Sequence, residues 1–162
     1  MDPNPIGFAK HDHKHCIHDS VEAAARMCQN AGLQLTPVRK RTLEILLEEH
    51  RALGAYDVLA RLSQEGFGAQ PPVAYRALDF LTKHGLAHKI ERLNAFIACA
   101  HPSDSHTPVF LICTSCKSVA EAETDPAHSL MGQIAETTGF TIQRAVLEAE
   151  GTCPNCQEKA HA

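Results

Sequence analysis

"QPPVAYRALDFLTKHGLAHKIERLNAFIACA", residues 70–100, is the stretch on which the fold turns. Its two prolines suit a helix start, where the missing N–H has no partner to lose. Ala74, Ala77, Leu78 and Leu81 recur at helical spacing, while Pro72, Tyr75, Arg76, Asp79 and Lys83 fall on the other side. Gly85 is placed to stop that helix. Beyond it the period becomes alternating. Leu86, His88 and Ile90 share one parity, Arg92 to Asn94 supply a turn, and Ala95, Ile97 and Cys99 share another. A helix followed by a β-hairpin is the expectation.

Three more helices are expected upstream. "SVEAAARMCQNA", residues 20–31, has Ser20 as N-cap, Val21, Ala24 and Cys28 on one face, and Gly32 as its stop. "LTPVRKRTLEILLEEH", residues 35–50, has Thr36 as N-cap, Pro37 in the first turn and a stripe of Val38, Thr42, Ile45 and Leu46. "GAYDVLARLSQEG", residues 54–66, gives a third, closed by Gly66. Short helices followed by a hairpin are the order of a winged helix-turn-helix, whose last helix enters a DNA major groove. Tyr75 and Arg76 on that helix, with Tyr56 and Arg39 from the two before it, are the expected DNA contacts; Arg and Tyr suit base edges and phosphate alike.

Downstream, "HPSDSHTP", residues 101–108, has the composition of a linker. "VFLIC" and "SVAEAE" read as strands, "DPAHSLMGQIAETTG" as a capped helix and "FTIQRAVLEAEG" as a longer strand. So small an α/β module has little surface from which to build a core, a shortage that dimerisation relieves. The expected class is α+β, in four parts. Residues 1–19 form a flexible His-rich tail, 20–100 a winged-helix DNA-binding domain, 101–108 a hinge, and 109–162 an α/β dimerisation domain.

Composition agrees with two modules. Residues 1–98 hold 12 Lys and Arg against 11 Asp and Glu, a net +1, whereas residues 99–162 hold 3 against 8, a net −5. A total of −4 over 162 residues disfavours non-specific nucleic-acid binding and leaves room for docking by a local basic face. No window has the apolar length of a membrane span, and the first twenty residues lack the apolar block of an export signal, so a cytoplasmic protein is expected. No nucleophile–base constellation or glycine-rich phosphate loop stands out, and neither an enzyme nor a small-molecule substrate is expected.

The strongest chemical signal is the pair "CTSC" and "CPNC", Cys113, Cys116, Cys153 and Cys156. Each motif offers two thiolates on one tight turn, and together they complete a closed tetrahedral zinc site. The 36 residues between the motifs contain one strand–helix–strand unit, whose ends the metal would join. A second dense set is "KHDHKHCIHD", residues 10–19, with His11, His13, His15, Cys16 and His18. It lacks apolar periodicity, and a flexible run loses backbone entropy when it closes on a metal. Weak zinc capture by a tail is the most expected of it.

"LTPVR", "AYDVLARL", "PPVAYRALDFL", the hairpin with "AHKIE" and the two C-x-x-C motifs, in this order and spacing, resemble the ferric uptake regulator family over residues 20 to 157. "YRALDFL" followed by "GLAHKIE", with a cysteine ending the second wing strand, resembles its zinc uptake regulator branch. The resemblance implies a homodimeric, metal-activated repressor that binds palindromic double-stranded operator DNA and controls zinc-uptake genes. It also implies a sensing zinc held by His88, Cys99, His106 and Glu121, giving two zinc ions per subunit. One thiolate, two imidazoles and one carboxylate fill a tetrahedron around zinc. His101 is the rival of His106 as linker ligand; His106 keeps the family's distance to the first C-x-x-C. Iron-sensing members carry a His- and Asp-rich run where this chain has Thr107, Pro108, Val109 and Phe110, and His128 has no evident company, so no second regulatory site is expected in the dimerisation module. The alternatives are an iron- or peroxide-sensing member of the family, and a thiol redox or zinc-holding interaction protein that does not bind DNA.

Overall fold

The computed structural model describes residue 8 and residues 13–49, 51–102, 106–124 and 130–161. The chain divides into two compact units, residues 10–103 and residues 1–9 with 104–162.

The first unit is built on helices α1 (His13–Asn30), α2 (Pro37–Glu48), α3 (Ala55–Gln64) and α4 (Pro71–Lys83). In α4, Ala74, Ala77, Leu78 and Leu81 are buried as their spacing requires. They join Leu43, Ile45 and Leu46 of α2, Val58 and Leu62 of α3, and Ala24 and Cys28 of α1 in the core. Thr42 is buried among them because its hydroxyl donates to the Val38 carbonyl at 2.8 Å, which satisfies it within its own helix. Gly85 takes the left-handed φ of +71° that lets Leu86 N–H reach back to the Leu81 carbonyl at 2.8 Å. Strand β1 (Ala87–Ile90) then pairs antiparallel with β2 (Ala95–Ala98), with Asn94 at φ +46° closing the turn. Leu53 and Phe96 exchange two backbone hydrogen bonds of 2.8 Å, tying the hairpin to the segment between α2 and α3.

In this unit the start of α1 differs from the sequence expectation. Helix α1 begins at His13, not Ser20, so seven residues assigned to the tail are helical and Ser20 is inside the helix. The donors that hide the apolar period here do not oppose helix; His18 and Glu22 stand at i, i+4 with Nε2 and Oε1 3.4 Å apart. Residues 9–12 lie outside the described residues, and with them His11.

The second unit is a three-stranded sheet in the order β4 (Val119–Thr124), β3 (Thr107–Cys113), β5 (Leu147–Gly151), with helices α5 (Leu130–Thr138) and α6 (Pro154–His161). Strand β3 is antiparallel to β4 and parallel to β5. It begins inside the expected linker, at Thr107. Pro108 is tolerated there because β5 joins only from Val109 onward, so no β5 carbonyl needs its missing N–H. The expected long strand of residues 140–151 shrinks to Leu147–Gly151 for the same reason: β3 offers β5 partners only along Val109–Cys113. The short helix α6 was not expected, though Pro154 in its first turn is the usual signal. His128 and the expected cap of α5 lie outside the described residues. No helix among the described residues is long and apolar enough to cross a membrane.

Candidate metal centres and nucleic-acid face

The register Cys113↔Gly151 brings both C-x-x-C motifs to one end of the second unit's sheet. At the end of β3, Cys113 N–H donates to the Ser118 carbonyl (2.9 Å) and the Cys113 carbonyl accepts from Lys117 N–H (3.0 Å). Lys117 adopts φ +64°, an uncommon conformation for a residue with a side chain, and so folds the knuckle tightly. Thr114 N–H donates to the Gly151 carbonyl at 2.9 Å, which holds the second knuckle beside the first. Its Cys153 N–H points at Cys113 Sγ, 3.4 Å away. All four Sγ atoms lie within 4.8 Å of one another, and Cys116 and Cys153 Sγ are 3.7 Å apart. Zinc–sulfur bonds in a tetrahedron set the sulfurs about 3.8 Å apart, so this donor set fits zinc. It does not fit disulfides, which need about 2.05 Å between sulfurs.

The thiols are unequal. Backbone N–H groups of Cys116 and then Cys153 hold Cys113 down to about 6. The Ser118 hydroxyl, 3.2 Å from Cys116 Sγ, lowers Cys116 as well. Cys156 is pushed up to about 12, first by its hydrogen bond with Cys153 and then by that with Cys116. Four negative sulfurs in one place repel, and a cation relieves that repulsion.

Each unit also carries a smaller donor pair. In the first, half-buried His88 in β1 and buried Cys99, just beyond β2, bring a ring nitrogen and Sγ within 4.8 Å. Cys99 is anchored by its N–H to the Leu86 carbonyl at 3.0 Å. In the second, His106 Nε2 and Glu121 Oε1 are 2.9 Å apart with side chains 9% and 4% exposed. A carboxylate so far from water requires a partner of this kind. The imidazole of His106 meets Glu121 within the second unit.

The expected DNA contacts divide. Tyr56 on α3 and Tyr75 on α4 are exposed and meet edge to face with centroids 6.5 Å apart; Arg76 is exposed beside them. Arg39 on α2 is half-buried and has partners within the unit. Its guanidinium lies 3.8 Å over the Phe80 ring and donates to the Gln34 carbonyl at 2.6 Å, so it ties α2 to α4. The aromatic partner could not be read from spacing, since Phe80 lies on another helix. Sequence reasoning also missed the ion pairs of Arg41 with Glu44, Glu48 and Glu65, and of Arg61 with Glu48 and Glu49.

A helix-turn-helix unit with a β-hairpin wing, joined in one chain to a sheet capped by a four-thiolate knuckle, defines a metal-carrying protein of the winged-helix class. The model of the "Ferric uptake regulator family" matches residues 30–150, and the chain belongs to that family. It is 36% identical over 147 residues to the "Zinc uptake regulation protein" of Escherichia coli (strain K12), covering 90% of this chain and 85% of that protein. Among solved structures, it is similar to a zinc uptake regulator complexed with zinc and DNA, at TM-score 0.84 and 32% identity over 90% of this chain and 98% of the other. It is also similar to holo XcZur, at TM-score 0.77 and 38% identity over 86% and 98%.

Proposed function

We propose that this chain is a cytoplasmic, zinc-responsive transcriptional repressor, which binds palindromic operator DNA as a zinc-loaded homodimer and controls zinc-uptake genes. Support comes from the family, from a relative that is a zinc uptake regulation protein, and from a similar structure complexed with zinc and DNA. The observation that carries the choice of metal is the donor chemistry. Cys99 supplies a thiolate beside His88, and soft sulfur with imidazole suits zinc better than the oxygen-rich sets of harder cations.

In this reading Cys113, Cys116, Cys153 and Cys156 hold a structural zinc, while His88 and Cys99 on one unit and His106 and Glu121 on the other share a sensing zinc. Bound there, zinc supplies a Lewis-acidic centre that makes one arrangement of the units more favourable than the rest. His88 and Cys99 act on the wing, which hydrogen-bonds Leu53 and packs behind α4. His106 and Glu121 act on the sheet of the dimerisation unit. With both pairs engaged, the α4 helices of a dimer present Tyr75 and Arg76 to successive major-groove half-sites. Moving such an equilibrium from 1:99 to 99:1 needs a preference of about 5.5 kcal/mol. Linkage then requires operator DNA to tighten the sensing site in return.

The test is a band-shift titration of an operator fragment with a chelator that strips the sensing zinc and spares the four-cysteine site. Operator affinity is expected to fall steeply and to return with added zinc. Unchanged affinity would reject the reading. Cys99→Ser, with metal analysis of protein purified without added metal, separates zinc from iron or peroxide sensing.

A further inference from the structure

Arg41 and Arg61 meet glutamates, but Arg39 is held by a ring and a carbonyl. Its guanidinium sits 3.8 Å from the Phe80 centroid while Nη1 donates to the Gln34 carbonyl at 2.6 Å. One side chain thus joins the segment ahead of α2, α2 itself and α4. Phe80 is held in turn. Its ring meets that of His84 with centroids 4.6 Å apart, and His84 N–H donates to the Phe80 carbonyl at 3.1 Å, at the end of α4.

This stack borders the face of α4 that carries Arg76. Arg76 and Phe80 stand at i, i+4, the first exposed and the second half-buried. Ala74 and Ala77 are buried beside them but offer only methyl groups, whose few contacts fix the roll of a helix weakly. Leu78, two residues before Phe80, pins the far side of the helix in the core. The Arg39–Phe80 stack braces the near side. Resting on the reading of α4 as the helix that enters the major groove, we propose that Arg39 is a positioning residue for operator recognition. It sets the angle at which α4 presents Tyr75 and Arg76, and it acts on DNA through Phe80 rather than by contact. Arginine suits the task because its plane can stack while its edge donates; lysine has no such plane. Base-edge hydrogen bonds weaken steeply when misaimed, whereas phosphate contacts carry no sequence information. Loss of the brace therefore costs discrimination more than overall affinity.

The test uses zinc-loaded full-length protein, a duplex that wild type selects from a random pool, and a scrambled duplex, titrated at several salt concentrations. Arg39→Lys keeps the charge and loses the planar stack; Phe80→Leu keeps Arg39 and loses the ring. Each is expected to lower the ratio of selected to scrambled affinity at least about fivefold, with zinc and helix content unchanged. The double variant should discriminate no worse than either single one, since both remove the same contact. The slope of affinity against salt should stay as in wild type. Wild-type discrimination by Arg39→Lys would overturn the proposal. So would an Arg39→Ala variant that weakens both duplexes alike and lowers the salt slope by about one, the mark of a direct phosphate contact. A wild type that selects no duplex would instead reject the repressor reading. Hydrogen exchange without DNA tells that failure apart: the α4 amides should exchange faster in Arg39→Lys, and equal rates would overturn the brace itself.

Discussion

Cys113 meets two backbone N–H groups where Cys156 meets other sulfurs, and this difference orders the four thiols by acidity. A thiol held at about 6 is already ionised at neutral pH, whereas one pushed up to about 12 gives up its proton only to the metal. Zinc uptake at pH 7 is therefore expected to release fewer than four protons, measurable by calorimetry in buffers of differing ionisation enthalpy. The sign follows from the shift. As pH falls through 6, Cys113 takes up its proton, one more must be displaced, and affinity drops more steeply with each further step. Cys116→Ser should lose the structural zinc altogether, seen as one equivalent less by metal analysis. At this scale the four cysteines were legible because ligand type and spacing are local properties. His88, Cys99, His106 and Glu121 were legible only through resemblance: taken singly, each is an ordinary buried or strand residue. The contact of Arg39 with Phe80 was not legible, because that ring comes from another helix.

The elements of the first unit were mostly legible, since a helical period and a proline or glycine at each end are written in the sequence itself. Leu78 fills the centre of the core with no exposed surface. Leu78→Ala is expected to destabilise this unit by about 3 kcal/mol in urea denaturation, the usual cost of a cavity at a site that cannot collapse. What periodicity could not show is the charge lattice on α2 and α3. Arg41 makes a two-pronged contact with Glu65 at 2.6 and 2.8 Å and reaches Glu48 at 2.7 Å, fixing the end of α3 against α2. The hydrogen bond from Arg41 depresses the Glu65 carboxyl. Its stabilisation is thus present above the ordinary carboxylate range and disappears as pH falls through the lowered value. Glu65→Gln should therefore be less stable than wild type at neutral pH in low salt, with the gap closing in acid or in high salt. The late start of β5 was misjudged because it depends on what β3 offers rather than on residues at the boundary.

At the scale of the molecule, two modules were visible in the charge asymmetry and in the composition of residues 101–108, while the division itself falls between 103 and 104. The second unit leaves Leu130, Met131 and Ile134 of α5, and Phe140 beyond it, open to water in a single chain. So much apolar surface on so small a unit suits a second copy. Ile134→Glu is expected to sediment as a monomer in ultracentrifugation and to lose operator affinity, while keeping its four-cysteine zinc. The parallel run of β3 and β5 has a further bearing on the lifetime of the molecule. Because both knuckles emerge at one end, an ion clipped between them fastens the last stretch of the polypeptide to its middle. Stripped of that clip, the same molecule trails a loose end, and trypsin should nick it first at Lys117 and Lys159. Scarcity would then do more than silence the regulator: it would mark for destruction those copies made when the metal was lacking.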